Sequence, residues 1–462
     1  MDIQNFLLKI LNMVNTYFTD FITVVLLVGC GIYFTFKTDF VQIRCFKEGF
    51  KRSLGGLFSK TNRSKSSSFS ALATAVAAQI GVGNIVGTAS AILIGGPGAI
   101  FWMWIAAFFG MATVYAEAVA AQLTRKYKKD GKVTGGAVYY IRAAFKGKTG
   151  VIISKLFAFS VILSLGFIGS AIQSNAVAET VNSALHIPQG LIGIFLSVLC
   201  GVVFLGGADR IVAFAEKIVP IMAGAFIFVC LVILLVRVKY IPQTFSLIFK
   251  GALLPSSIIG GGTGYAFKRT FSQGVKKGLF SNEAGMGSTP YAHALAEVEK
   301  PHDQGVVAMM GVFIDTFVIL TLTAIVMISV LYADGTNMYI NFGIDESNMM
   351  IISMSSVLGE WIGKILTAVS LFFFGFASIL GWNLFGKINS EYLFGSKANG
   401  LYYLISVIFI LFGSLVKSDF LWSIADVLNN LMIIPNIFSL FLLSKSIKTA
   451  SNFVKINKKC PK

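Results

Sequence analysis

The sequence predicts an all-α membrane protein of about eleven transmembrane helices, built as two inverted repeats of five behind one extra N-terminal span. Three observations carry this. The 462-residue chain is 55% hydrophobic and 13% charged, with a mean hydropathy of +0.77, whereas a soluble domain carries about a quarter charged residues. Apolar runs of spanning length recur along the whole chain. Two of those runs are interrupted by glycine-rich segments, near residues 81–84 and 260–264. Backbone freed from a helix at bilayer depth has no water to bond, so it persists only where protein covers it or where it lines a cavity.

The elements follow in order. In residues 1–18, Ile3, Phe6, Leu7, Ile10, Leu11 and Val14 recur at helical spacing, which predicts an amphipathic helix lying in the interface. No basic region followed by a short apolar core precedes it, so no signal peptide is expected. The extra span covers 19–37. The first repeat, 69–237, holds spans at 69–94, 97–123, 151–180, 189–206 and 211–237. The second, 246–444, holds 246–283, 304–332, 361–386, 400–416 and 420–444, and a basic tail closes the chain at 445–462.

Charge sets the orientation. The net charge is +17, which in a soluble chain would suggest nucleic acid. Here the lysines and arginines lie in loops, where they face anionic lipid and fix topology, so no nucleic-acid partner is expected. Arg44, Lys47, Lys51 and Arg52 follow the first span, Arg125 to Lys132 follow the third, and Lys445 to Lys459 follow the last. An eleven-span chain puts all three on one side. The opposite side carries Asp334, Asp345 and Glu346, with Arg237 and Lys239 as exceptions. The expectation is a multi-pass plasma-membrane protein with its N-terminus outside and its C-terminus in the cytoplasm. Five cysteines without metal or redox spacing predict no disulfide, and three histidines predict no metal site of the zinc kind and no cofactor.

The interruptions point to function. Gly81-Val82-Gly83-Asn84 breaks the first span of the first repeat, and Gly260-Gly261-Gly262-Thr263-Gly264, after Pro255, breaks the first span of the second. Interrupted helices at corresponding places in two halves mark the midplane site of a secondary transporter. Freed amides suit an anionic group and freed carbonyls a cation, so a zwitterion with a cation beside it matches both.

Specific motifs then carry a family resemblance. The string Gly95-Gly96-Pro97-Gly98-Ala99-Ile100-Phe101-Trp102-Met103-Trp104 resembles the signature of the alanine or glycine:cation symporter family. So do Gly110-Met111-Ala112-Thr113 with Ala116-Glu117, Gly135-Gly136 with Tyr139-Tyr140, and the block from Gly278 to Ser288. Gly381-Trp382 is a further match. The resemblance implies sodium-driven uptake of a small neutral amino acid on a LeuT-like fold, and Ala78 to Asn84 is similar in spacing to that fold's first unwound helix.

Candidate site residues follow from both lines. The amides of Gly81 and Gly83 suit a substrate carboxylate, although small residues also serve close helix packing. Asn84 either satisfies freed backbone or coordinates a cation. By resemblance the carbonyls of Ala77 and Ile80 bind sodium, Ser378 offers a hydroxyl to substrate or sodium, and Trp382 forms a pocket wall. A lone serine in a helix also bonds its own i−4 carbonyl. Ala377 stands where relatives carry a second hydroxyl, which leaves proton coupling as an alternative. Gln173 lines the pocket by resemblance or bonds a neighbouring helix. Thr263 in the second break, and Phe267 or Phe271 after it, are placed at the substrate. Asp315 is an intramembrane carboxylate, so it balances a cation, relays a proton or bonds another helix. Glu117 and Glu216 are expected in packing or gating. Ser281 to Gly285, after Lys276 and Lys277, is expected as a turn at the inner surface. The function read is symport of alanine or glycine with sodium. Glutamine preference within the family and a membrane-embedded transferase, which would need converging titratable groups, are the alternatives.

Overall fold

The computed structural model describes residues 11, 13–15, 22–58, 67–128, 131, 133–253, 263–335, 343–416 and 418–457. The interfacial segment expected at 1–18 lies largely outside them, as do Gly260, Gly261 and Gly262. The described chain is helical apart from one antiparallel two-stranded ribbon, Lys126–Tyr127 with Val133–Thr134.

Helix α1 is Val24–Lys37, and α2, Phe46–Phe58, lies in the basic loop after it. Helices α3, Ser68–Gln79, and α4, Val86–Gly95, flank the first interruption and bend by 60° there. Ser67 starts α3 by accepting the Ser70 amide at 3.0 Å, the bond a serine N-cap makes. Helix α5 is Ala99–Thr124, α6 Ala137–Ala144, α7 Gly147–Leu185, α8 Gln189–Leu205 and α9 Gly207–Val236. Next come α10, Ile241–Leu253, α11, Thr263–Asn282, and the short α12, Pro290–Ala294. Helix α13 is Pro301–Leu331, opened by Pro301 at the position where a missing N–H costs nothing. Helix α14 is Met349–Leu358, α15 Glu360–Phe394, α16 Asn399–Gly413, α17 Ser418–Leu442 and α18 Ser444–Asn457.

Among the described residues seven helices are long and apolar enough to cross a membrane, and the bent α3–α4 pair adds an eighth. Helices α1, α8 and α14 are shorter but apolar. Each span expected from the sequence is one helix or the bent pair, except 246–283. The described part of that stretch is two helices, α10 and α11, and α11 carries the charges of Lys268, Arg269, Lys276 and Lys277.

Ion pairs tie the ends together by side. Arg52 pairs with Asp303, and Lys128 with Glu391. Arg237, an exception to the charge pattern, pairs with Asp334 at 3.2 Å and lies 4.0 Å over the Tyr240 ring. Its charge is neutralised locally, so it has little weight in topology. Cys30, Cys45, Cys200 and Cys230 are buried, and among the described residues none of them is in a disulfide.

The core lies around α3, α5 and α13, whose small residues admit close approach. A Cβ on Gly381 of α15 would stand 3.0 Å from Ala78, and one on Gly274 of α11 would stand 2.4 Å from the Ala99 carbonyl. Two helices carry a wide π-helical stretch, Ile162–Gly169 in α7 and Phe313–Leu320 in α13. After each, a hydroxyl returns to a carbonyl five residues back: Ser170 to Leu165 at 3.3 Å, and Thr321 to Thr316 at 2.8 Å.

Candidate functional site

The first interruption is a short 3₁₀ turn, Val82–Asn84, whose backbone is satisfied by side chains. The Gly81 amide bonds the Gln79 carbonyl and the Asn84 Oδ1 at 3.0 Å, not the Ala77 carbonyl a helix would use. The Val82 amide bonds Gln173 Oε1 at 3.0 Å instead of Ala78. The Ala77 and Ala78 carbonyls, freed in this way, receive the Ser378 hydroxyl at 3.0 and 3.2 Å. Ser378 therefore bonds across to α3, not to its own helix. Gly81 is packed shut, since a Cβ there would stand 2.4 Å from Ser378 Oγ and 3.0 Å from the Gln173 amide. Gly83 is open, its nearest neighbour for a Cβ being Ser281 Cα at 3.9 Å.

Of the second predicted interruption, Gly260 to Gly262 lie outside the described residues. Helix α11 already runs from Thr263, whose side chain is outside the described ones. The chain unwinds after Asn282 and resumes at Pro290, and this segment lies against the first break. Gln79 Nε2 bonds the Asn282 carbonyl at 2.8 Å, and Ser281 stands beside Gly83. The expected interfacial turn at Ser281 to Gly285 is corrected by burial, since Ser281, Asn282, Glu283 and Ala284 are 4%, 0%, 1% and 1% exposed. Lys276 and Lys277, expected at the inner surface, face α17 instead. Lys276 pairs with Asp426 at 2.7 Å, and Lys277 lies over the Trp422 ring.

Left-handed backbone shapes the second break, with Gly285 at φ +85° and Gly287 at +75°, a region that glycine enters without strain. Their amides donate to Glu117 of α5, at 3.4 Å from Gly285 and 2.9 Å from Gly287. Asn436 of α17 donates to Glu117 at 2.6 Å and to the Gly285 carbonyl at 2.8 Å, and accepts from the Tyr140 hydroxyl. Glu117 is thus the anchor of the second break, deep in the bundle.

Asp315 joins the two breaks. Its carboxylate accepts from Asn84 Nδ2 at 2.6 Å, Ser281 Oγ at 3.2 Å and Thr316 Oγ1 at 2.8 Å. Asn84 so does both backbone and bridging work. On the far side, Glu283 accepts from the Trp382 indole N–H and the Ser288 hydroxyl. Trp382 and Glu283 line a small cavity with Gly169, Ile172, Phe280 and Asn429 among others. Glu117, Glu283 and Asp315 are 0%, 1% and 0% exposed, and among the described residues none of them is in an ion pair.

Of the predicted site residues, the structure gathers Ala77, Ile80, Gly81, Gly83, Asn84, Gln173, Asp315, Ser378 and Trp382. It does not bring Phe271 there. Phe271 packs edge-on against Trp102 of α5 at 4.9 Å, on the stretch of α11 where Thr270 bonds the Gly95 carbonyl, and Phe267 is 41% exposed beside it. Glu216 accepts from Ser70 at the start of α3, away from the breaks. Ser281, Asn282, Glu283 and Gln79 were missed as site residues. The signal for the first three was the polar Ser281-Asn282-Glu283 run followed by alternating glycines, a sequence that cannot stay helical.

Two broken helices meeting in a buried, polar junction of an all-helical multi-pass membrane protein define a secondary transporter with the LeuT-like fold. A manganese transporter from Eremococcus coleocola has this fold at a TM-score of 0.52 and 14% identity, over 82% of this chain and 77% of that one. The chain belongs to the sodium:alanine symporter family, whose pattern matches residues 4–460. It is 37% identical to the sodium/alanine symporter AgcS of Methanococcus maripaludis over 438 residues, 94% of each chain. It is 36% identical to the probable sodium/glutamine symporter GlnT of Bacillus subtilis, over 97% of this chain and 90% of that one.

Proposed function

We propose that this protein imports a small neutral amino acid, alanine or glycine, together with sodium by alternating access across the plasma membrane. The observation that carries the reading is the junction of the two breaks, where freed backbone and uncompensated carboxylate charge meet. A buried charge without a counter-charge is costly, and a cation at Asp315 relieves it. Asn84 Oδ1 and Ser281 Oγ supply further oxygens, the donor type hard cations prefer. A second cation position lies at the Ala77 and Ile80 carbonyls with Ser378. The substrate carboxylate faces the open side of Gly83, and Gln173 and Trp382 bound the pocket. Two inverted halves, α3–α9 and α11–α17, rock about this junction behind the extra α1. The face holding Arg52, Lys128 and the C-terminal tail is cytoplasmic by the charge rule.

Sodium:alanine names in the family and the AgcS relative support the substrate and ion. A second reading, proton coupling or glutamine preference, rests on Ala377 beside Ser378, which leaves one hydroxyl at that position, and on the glutamine relative.

The test is reconstitution in liposomes with an inward sodium gradient and labelled alanine, glycine or glutamine. Gradient-dependent accumulation of alanine or glycine is the expected result, and accumulation of none of the three sinks the reading. A proton gradient alone should drive nothing. Asp315→Asn should abolish sodium-dependent uptake while folded protein remains, and undiminished sodium dependence removes Asp315 from the ion site.

A further inference from the structure

We propose that Glu283 receives the ammonium group of the transported amino acid and that Trp382 is its positioning residue. The inference rests on the reading that the two breaks hold an amino acid. Glu283 stands in the unwound segment between α11 and α12, outside any helix of its own. Its carboxylate is buried and lines the small cavity also walled by Trp382, Gly169, Ile172 and Phe280. Both groups that bond it, the Trp382 indole and the Ser288 hydroxyl, are neutral donors.

A carboxylate has about four lone-pair sites, so two donors leave room for an ammonium. The cavity supplies no basic side chain among its lining residues. Removing a carboxylate from water without a cation is unfavourable, and a ligand that carries its own positive charge into the cavity reverses that cost.

Reach is also right. Ser281 Cα lies 3.9 Å from where a Gly83 Cβ would stand, and Glu283 follows two residues later. Two residues of chain extend at most about 7 Å. One amino acid, with its carboxylate at the Gly83 side and its ammonium toward Glu283, bridges that span. Trp382 fixes the carboxylate from one direction, and a Cβ on Gly169 would stand 2.8 Å from its ring, so the indole has little freedom to turn away.

The test compares alanine with lactate, which keeps the carboxylate and methyl group and replaces the ammonium by a neutral hydroxyl. Purified full-length protein in sodium binds labelled alanine, with unlabelled alanine or lactate as competitor. The wild type should prefer alanine strongly. Glu283→Gln should lose about 30-fold or more in alanine affinity, as truncating a buried charge partner does, with weak lactate competition unchanged. A folded Glu283→Gln protein that keeps the wild-type preference overturns the proposal. If that variant is not monodisperse, the wild-type comparison decides, and lactate competing as well as unlabelled alanine overturns the proposal equally. Trp382→Phe should shift the ratio in the same direction, which loss of wall area alone would not do. Wild-type protein that binds none of alanine, glycine and glutamine defeats the amino-acid reading itself, and this proposal with it, which is a different outcome from an unchanged ratio.

Discussion

The two breaks solve the same problem by opposite means. At the first, α3 and α4 are parted by a three-residue turn, and the freed groups are taken by Asn84, Gln173 and Ser378. Asn84 belongs to the turn itself and the other two side chains come from α7 and α15, so the turn is held at its edges and left open at Gly83. At the second, the loop between Asn282 and Pro290 is longer and bends through left-handed glycines, and one buried carboxylate, Glu117, gathers its amides. A short break held by many neighbours tolerates the loss of one contact. A long break whose glycine amides converge on one carboxylate loses both of those bonds with it.

That contrast orders the expected effects. Glu117→Ala should be the most damaging, since it strands the Gly285 and Gly287 amides and Asn436 in the interior. We expect a loss of about 3 kcal/mol or more, seen as a large drop in thermal unfolding temperature in detergent. A stability near wild type would mean the second break is not anchored there. Gly81→Ala comes next, because its Cβ collides with Ser378 and the Gln173 amide. Overpacking of this kind costs about 1–3 kcal/mol, and a neutral result would show that α15 yields at this point. Gly83→Ala should be the mildest, at about 1 kcal/mol or less in either direction, because its Cβ meets open space. The larger Gly83→Leu should leave stability nearly intact and abolish alanine binding, and retained binding would take the open face of Gly83 out of the substrate site.

The same contrast explains what could be read in advance. Gly81 to Asn84 stood out because glycines and an asparagine interrupt a continuous apolar run. The run at Gly260 to Gly264 stands out for the same reason, and two interruptions at corresponding places suggest the inverted arrangement. The partner in the structure is quieter. Lys276 and Lys277 make the end of α11 look like a span leaving the membrane, and Ser281 to Ser288 then looks like a loop. Hydropathy does not register that Lys276 is neutralised by Asp426 from a helix about 150 residues away in sequence, a pairing that only packing supplies. Ser378 and Gln173 are placed at the site by the family resemblance, and both bond the first break. Asp315 was singled out because a carboxylate in an apolar span is expensive. Glu117 was noticed, but its role was hidden because its partners, two backbone amides and Asn436, leave no pattern of residue type. Phe271 was drawn in by its nearness to Gly260 to Gly264, and it packs on Trp102 instead.

The wide turns in α7 and α13 bear on how such a junction moves. Gln173 follows one of them and Asp315 lies within the other, so the residues by which both helices bond the first break hang on segments that contain surplus chain. A helix wound with one residue to spare has slack, and slack is taken up locally, by rewinding, before the rod as a whole must shift. The Ser170 and Thr321 hydroxyls that span the wide turns act as stays on that slack. The outer ends of α7 and α13 are therefore free to remain seated in the bundle while their middles shift, so that a change at the junction need not be felt at the membrane surface at the same instant.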